Sequence, residues 1–174
     1  LFNNDIVIDS EIEQIKEIKI IKEIENPIDK LNKILIYLNY SPYYKSDVID
    51  CITVDGICKK GYVKILDWVL GQGIKIRYDK HVINNACGHG HICILDWFIA
   101  HNLKLTYDKD AINDACENGH TCILDWFIEH KLELKYDKAA INDACGYGYI
   151  NVLDWFIEHE LEFKYDEWAI NNAC

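Results

Sequence analysis

A period of 29 residues runs through most of this 174-residue sequence, and it constrains the fold more than any other feature. The complete unit reads YDKDAINDACENGHTCILDWFIEHKLELK over 107–135, and neighbouring copies fill 78–106 and 136–164. Three residue types mark the period most clearly: Tyr78, Tyr107, Tyr136 and Tyr165; Trp68, Trp97, Trp126 and Trp155; Cys58, Cys87, Cys116, Cys145 and Cys174. A fixed period of this length is typical of proteins in which each copy packs on the next.

Each copy is predicted to form two short helices. The first helix begins near Asp108, a suitable N-cap, and runs through 110–116. Gly119 then ends this helix and permits a tight turn, and the second helix covers about 120–130. The apolar side chains of each helix fall on one face: Ala111, Ile112, Ala115 and Cys116 in the first, and Ile123, Leu124, Phe127 and Ile128 in the second.

One helix pair cannot bury its apolar face alone, so consecutive copies are expected to share a continuous core. Each large apolar side chain contributes about 1.5–3 kcal/mol when it is fully buried. The repeated tryptophans are expected to pack in a row between units. The Asp before each Trp is expected to face solvent or to cap a neighbouring helix.

The turn between the two helices resembles that of a known family. Residues 115–120 read ACENGH and residues 123–128 read ILDWFI, which resembles the ankyrin pattern A-A-x-x-G-H followed by V-V-x-x-L-L. The Gly-His pair recurs at 90–91, and the resemblance covers about 61–174. It implies an all-α, ankyrin-like helical-repeat solenoid of stacked antiparallel helix pairs, whose first-helix and loop positions line a concave binding face.

The units depart from the ankyrin pattern between copies. They span 29 residues, whereas ankyrin units span about 33. The T-P-L-H tetrapeptide is replaced by DAIN at 110–113, and the Gly after the second helix survives as Gly73 but becomes Asn102, Lys131 and Glu160. A short plain loop is therefore expected in place of the family's β-finger. Short units rich in Ile, Asn and Tyr are similar to ankyrin-like proteins carried in large numbers by giant DNA viruses of amoebae.

Three segments are predicted along the chain. Residues 1–26 form a charged, Ile-rich N-terminal segment, either a helix or a tail, and residues 27–60 form a degenerate opening repeat. Residues 61–174 form the ankyrin-like array, which stops in mid-repeat. Because Cys174 follows the first helix of a unit and leaves Ile170 without a partner helix, the natural protein is expected to continue.

The repeated cysteines are predicted to be core residues rather than disulfides. They occupy the position of the second small Ala of the ankyrin pattern, which faces the neighbouring unit. Consecutive copies should lie about 10 Å apart, and a disulfide needs Cα atoms within about 7 Å. Free buried thiols, together with the lack of a signal-like segment in this sequence, favour an intracellular, reducing compartment.

A metal site is the less favoured interpretation of the remaining cysteines. Cys93 and Cys122 lie on the outer side of the second helix near His91 and His120, but the next copy has Asn151 at this position. Structural zinc needs four convergent ligands, which this pattern does not supply. The histidines of the Gly-His pairs are instead expected to hydrogen-bond turn backbone, as the ankyrin resemblance implies. No metal and no cofactor are therefore predicted.

Catalysis, nucleic-acid binding and membrane insertion are not predicted. Every His and Asp of interest belongs to the repeat, whereas one active site usually interrupts a repeat. A formal net charge of −11 repels phosphate backbones, and no stretch approaches 18 consecutive apolar residues. Neither an enzymatic activity nor a small-molecule substrate is expected.

The predicted function is protein–protein interaction by a rigid scaffold that presents an acidic concave surface. Positions that vary between copies are free to contact a partner, and they supply the candidate contacts: His81, Asp110, Ala139 and Trp168 near the start of the first helix, and Gly88 and Glu117 after the Ala-Cys pair. Trp168 is the favoured anchor because Trp is enriched among binding hot spots, although it could equally pack on a following repeat. Two alternatives remain, a structural component of a virus particle and an adaptor that recruits targets to a host ubiquitin ligase. The location would accordingly be host cytoplasm or the virus particle.

Overall fold

The computed structural model describes residues 29, 33, 51–71 and 73–172. The predicted segment 1–26, most of the predicted opening repeat and Cys174 lie outside these residues. The described chain is mostly helical, as the all-α prediction requires, and it also contains two short strands. Its elements are β1 (Cys51–Thr53), α1 (Asp55–Lys59), α2 (Val63–Gly71), β2 (Lys75–Arg77), α3 (Lys80–Gly88), α4 (Ile92–Ala100), α5 (Asp110–Glu117), α6 (Thr121–Glu129), α7 (Lys138–Tyr147), α8 (Ile150–Glu158) and α9 (Glu167–Asn172).

The described residues group into two compact units. The first holds 51–57 and 62–77, where β1 and β2 pair in parallel and α2 buries its apolar face. The register places Ile52 opposite Ile76. The sequence pattern does not predict this small ladder, in which each strand is three residues long.

The second unit holds 58–61 and 78–172 and contains the clearest copies of the repeat. Each complete copy supplies a first helix (α3, α5 or α7) and a second helix (α4, α6 or α8), which pack on each other. First helices also pack on first helices, α3 on α5, α5 on α7 and α7 on α9, and second helices pack on second helices, α4 on α6 and α6 on α8. The 29-residue period in sequence is therefore a period in packing.

The predicted helix bounds are confirmed to within one residue. The first helix, predicted over 110–116, is Asp110–Glu117, and the second, predicted over about 120–130, is Thr121–Glu129. Gly119 adopts a φ of 72°, the left-handed conformation that glycine reaches at little cost. The small residues Ala111, Ala115 and Cys116 are fully buried, which lets first helices of adjacent copies approach closely.

The predicted apolar face of the second helix is wrong at one position. Ile123, Leu124 and Phe127 are buried, but Ile128 is 40% exposed and Trp126 is only 4% exposed. At about 100° per residue, the four buried residues span an arc centred between Ile123 and Phe127, and Ile128 lies about 120° from that centre. Trp126 lies within the arc, so the tryptophan belongs to the core and the isoleucine lies at its margin.

Loops without helix or strand join the copies at 103–108 and 132–137, as the short-loop prediction requires. Where the second helix ends, Lys131 has a φ of 54°, the backbone N–H of Lys131 donates to Ile128 O and that of Leu132 donates to Phe127 O, each at 2.9 Å. This is a Schellman ending, which usually requires Gly at the left-handed position. Asn102 and Glu160 adopt the same conformation with φ of 54° and 52°.

Substituting Gly at the left-handed Lys and Glu positions should stabilise the protein. A left-handed residue with a Cβ is strained by about 1–2 kcal/mol, and the greater unfolded-state entropy of Gly offsets part of the gain. We expect Lys131→Gly and Glu160→Gly each to raise the free energy of unfolding by about 0.5–1 kcal/mol in urea titrations. Asn102→Gly is the matched control and should change little, because Asn tolerates this conformation. If Lys131→Gly lowered the free energy of unfolding, the left-handed conformation of Lys131 would not be strained.

Candidate interaction surface

A repeated polar cluster ties each first helix to the next. Asp108 caps α5 by accepting the backbone N–H of Asp110 at 3.2 Å, which confirms its predicted role. The same carboxylate accepts the side-chain amide of Asn84 from α3 at 2.7 Å and pairs with Lys80. In return, Asn84 Oδ1 accepts the backbone N–H of Asp108 at 3.4 Å. One carboxylate therefore caps its own helix and fixes the position of the preceding one.

The cluster recurs in every described copy of the second unit. Its members are Lys80, Asn84 and Asp108; Lys109, Asn113 and Asp137; and Lys138, Asn142 and Asp166. The three asparagines are the buried polar side chains of the described chain, between 3% and 7% exposed. The Lys hydrogen bond is the main reason that the pKa of each of these aspartates lies below its usual value, and the Asn amide adds to it. These carboxylates are compensated within the protein.

A second group of carboxylates on the first helices is not compensated in this way. It comprises Asp110, Asp114 and Glu117 on α5 and Asp143 on α7, which we call the acidic cluster. Burial, followed by repulsion from Asp110 and Glu117, raises the pKa of Asp114 to about 6, and His89 opposes the rise. Burial and repulsion from Glu117 also raise the pKa of Asp143. Among the described side chains, no Lys or Arg forms an ion pair with these four carboxylates.

The predicted contact residues lie at different depths. His81 is exposed, Asp110, Ala139 and Glu117 are half-buried, and Trp168 is 44% exposed. These residues occupy equivalent or neighbouring positions of successive first helices, so the structure places most of the predicted set along one side of the second unit. The sequence pattern does not single out Asp114 and Asp143. Both lie close enough to Glu117 for its negative charge to raise their pKa values, so they belong to the same side.

Gly88 is a correction to the predicted set. It is buried, and a Cβ built on it would lie 2.9 Å from Asp114 Cβ of the next copy. Because it is packed against the next first helix, it offers no surface to a partner. Gly146 is half-buried and lies against the ring of Trp168, which would be 2.6 Å from a Cβ added there. Trp168 therefore packs on the preceding copy while keeping part of its ring exposed.

The ring residues of the turns pack on glycines of the preceding turn. A Cβ added to Gly61 or Gly90 would collide with the ring of His91 or His120, and one added to Gly119 would collide with Tyr149. His91 Nε2 donates to Lys59 O, the last carbonyl of α1, at 3.1 Å, so the predicted hydrogen bond to backbone is present for His91 but at a helix end. Burial lowers the pKa of both His91 and His120. These rings are part of the contact between copies.

Three of the four described cysteines at the repeat position follow the core prediction. Cys58, Cys87 and Cys116 are fully buried, and Cys145 is half-buried. Burial raises the pKa of Cys116 to about 12, which makes it a poor nucleophile and metal ligand at neutral pH. Cys93 and Cys122 are exposed, and within the described part of the chain no three His, Cys, Asp or Glu side chains converge as a metal site would require.

The repeated Asp-Trp pairs serve packing between copies, in a way only partly predicted. The Trp rings are buried, as expected. The indole N–H of Trp126 donates to Asp96 of the preceding copy at 2.7 Å, and Trp155 donates to Asp125 at 2.6 Å. These aspartates are exposed, as predicted, and each also accepts a hydrogen bond across the contact between copies. Each carboxylate accepts the indole N–H of the buried Trp in the next copy, which would otherwise lack an acceptor.

No family model matches this sequence, and no curated protein matches it. In the part of the chain that the structure describes, no helix is long and apolar enough to cross a bilayer.

Neutralising Asp114 should stabilise the protein at neutral pH and flatten its pH dependence. Its folded-state pKa of about 6 exceeds the ordinary value of 3.8, so the folded state binds the extra proton and stability rises as pH falls from 7 toward 4. We expect Asp114→Asn to raise the free energy of unfolding at pH 7 by about 1 kcal/mol, a figure that allows for solvent screening. Urea titrations at pH 7, 6 and 5 would measure this. If the variant were less stable at pH 7, or if its free energy of unfolding varied with pH as steeply as that of the parent, the raised pKa of Asp114 would be contradicted.

Proposed function

We propose that this chain is a non-catalytic protein-interaction scaffold, an ankyrin-like solenoid that binds a basic segment of a protein partner through its first-helix face. The observation that carries the proposal is the acidic cluster: four neighbouring carboxylates, two of them with raised pKa values, that are not offset by ion pairs among the described side chains. The packing of like helices on like helices supports the solenoid. The ankyrin-like turns support a binding role for the same side.

The contrast between the two groups of carboxylates supports a cationic partner. Asp108 and Asp137 stabilise the fold, because Lys and Asn side chains from the preceding copy hold them. Asp114 and Asp143 repel their neighbours while partly desolvated, so they reduce stability. A Lys or Arg side chain placed among them would relieve this repulsion, and opposite charges across an interface raise both specificity and the rate of association.

The surroundings of the acidic cluster suit a protein segment. Exposed Trp168 and half-buried Ala139 lie on successive first helices of the same side. Aromatic side chains are enriched at the centres of interfaces, where they contribute most of the binding energy. We place the protein in an intracellular, reducing compartment, since Cys87 and Cys116 are buried as thiols and are not joined in disulfides.

The test compares two charge-neutralised variants as bait in affinity capture with mass spectrometry. Asp114→Asn/Asp143→Asn removes two charges from the acidic cluster, and Glu129→Gln/Glu158→Gln removes two exposed charges from the second helices. We expect the first variant to lose a specific basic partner by at least tenfold and the second to retain it. Because the first variant should be more stable than the parent, unfolding would not account for the loss. Equal capture by both variants would contradict the proposed face.

A further inference from the structure

The turn between the two helices of a copy carries a ring whose residue type changes along the chain. The ring residue is His91 in one copy, His120 in the next and Tyr149 in the third. Each ring lies against the turn glycine of the preceding copy, where an added Cβ would come within 3.0 Å of a ring atom. The same contact is therefore made by histidine, which ionises near neutral pH, in two copies, and by tyrosine, whose phenol stays neutral there, in the third.

His91 joins the segment 58–61 to its own turn by two contacts. Its Nε2 donates to Lys59 O at 3.1 Å. A Cβ added to Gly61 would lie between 2.8 and 3.1 Å from Nδ1, Cε1 and Cγ, so the face of the ring beside Nδ1 lies directly on the glycine backbone. Because a carbonyl oxygen can only accept, Nε2 carries the proton of the neutral ring, and Nδ1 takes up the second proton when the ring ionises. The second proton is therefore placed beside the packed glycine backbone.

The histidines near His91 oppose a charge on its ring. His89 stacks beside it, with ring centroids 6.1 Å apart and an angle of 17° between the planes. Burial lowers the pKa of His91, the hydrogen bond to Lys59 O raises it, and repulsion from His89 and His120 lowers it further. Among the described residues, the ionisable side chains that act on His91 are therefore two other histidines, and each would carry the same sign of charge.

The charged residues of the adjoining elements do not stabilise the ionised ring either. Asp114 of α5 interacts with His89, so it favours a charge that would repel one on His91. Lys59 and Lys60 belong to the segment that His91 contacts, and both carry positive charge. The neutral form of the ring is the one that fits this site.

We propose that His91 makes the contact between the segment 58–61 and the turn 89–91 sensitive to pH, so that the contact is formed while the ring is neutral and loosens when the ring is doubly protonated. A histidine that is harder to protonate in the closed form stabilises the contact fully above pH 6.5 and progressively less as pH falls below it. His120 makes a ring contact of the same kind, whereas the contact of Tyr149 should not respond. This inference does not depend on the proposed function.

The test follows solvent exchange of backbone N–H groups in the full 174-residue chain by two-dimensional ¹⁵N–¹H spectra at pH 7.5, 6.5 and 5.5. Protection factors remove the intrinsic pH dependence of exchange. The N–H groups of Gly61 and His91 report on the contact, and that of Tyr149 is the comparison, since each donates a hydrogen bond within its own turn region. We expect protection at Gly61 and His91 to fall by about threefold or more between pH 7.5 and 5.5, and protection at Tyr149 to stay constant.

Two variants separate the proton from the packing. His91→Tyr keeps a ring of the type that Tyr149 places on its glycine, and His91→Gln keeps a donor for Lys59 O, but neither side chain ionises near neutral pH. Both should abolish the fall in protection at Gly61. His81→Asn, which removes an exposed histidine of α3, is the matched control and should keep the fall. Constant protection at Gly61 in the parent, an equal fall at Tyr149, or a fall that persists in His91→Gln would overturn the proposal.

Discussion

Phe127→Ala is expected to lower the free energy of unfolding by about 4 kcal/mol. Phe127 is 1% exposed and lies in α6, between α4 and α8. The centroid of its ring lies 5.0 Å from that of Tyr107 and 5.6 Å from that of Trp126. Removing a buried aromatic ring loses transfer free energy and leaves a cavity, and such changes usually destabilise by about 3–5 kcal/mol. Urea titration monitored by circular dichroism would measure the loss.

Ile128→Ala is the matched control for this substitution. Ile128 follows Phe127 in the same helix and is equally apolar, but it is 40% exposed. Its truncation should therefore cost less than about 1.5 kcal/mol. Equal losses in the two variants would mean that the buried arc of the second helix is centred elsewhere than the structure places it.

Asn113→Ala is expected to lower the free energy of unfolding by about 3 kcal/mol, although Asn113 is polar. Its side-chain amide donates to Asp137 Oδ1 at 2.8 Å, and its Oδ1 accepts the backbone N–H of Asp137 at 3.2 Å. The substitution leaves the half-buried backbone N–H of Asp137 without this acceptor and removes a donor from the Asp137 carboxylate. Hydrogen bonds to charged groups contribute about 1.5–3 kcal/mol, and an unsatisfied buried group adds a further penalty.

Asn118→Ala provides the comparison for the polar substitution. Asn118 is exposed and donates only to Asp114 O within its own helix end, at 2.8 Å. We expect its loss to change stability by less than about 0.5 kcal/mol. If Asn113→Ala proved as mild as Asn118→Ala in the same urea titrations, the asparagine would not hold adjacent copies together.

The period predicts the helices well because it reports packing directly. A residue that meets the same neighbour in every copy recurs, so Ala115, Cys116 and Leu124 mark buried positions correctly. The Asp cap and the Gly turn are predictable for a local reason, since each acts within its own copy. The bounds of both helices follow from these signals.

Contacts between copies are harder to predict, because they join residues whose separation is close to the period. Asn84 and Asp108 are 24 residues apart, and Asp96 and Trp126 are 30 apart. The sequence shows that each residue recurs but not which copies meet. The repeated Asn is a usable signal, since a polar side chain that recurs on an apolar face needs a buried partner.

The candidate contacts are predicted from variation between copies, which has two causes. Asp110 and Glu117 vary and lie in the acidic cluster, whereas Gly88 varies but is buried against Asp114 of the next copy. Steric accommodation and partner contact produce the same sequence signal. Only the burial of each position separates them.

The most direct test of the stacked-repeat account is the response of tryptophan indole N–H resonances in two-dimensional ¹⁵N–¹H spectra. Asp96→Ala should shift the Trp126 indole resonance and speed its exchange with water, and Asp125→Ala should do the same to Trp155. Each substitution should leave the Trp that directly follows it in sequence nearly unchanged. If Asp125→Ala instead perturbed Trp126 and left Trp155 unaffected, consecutive copies would not stack in this register.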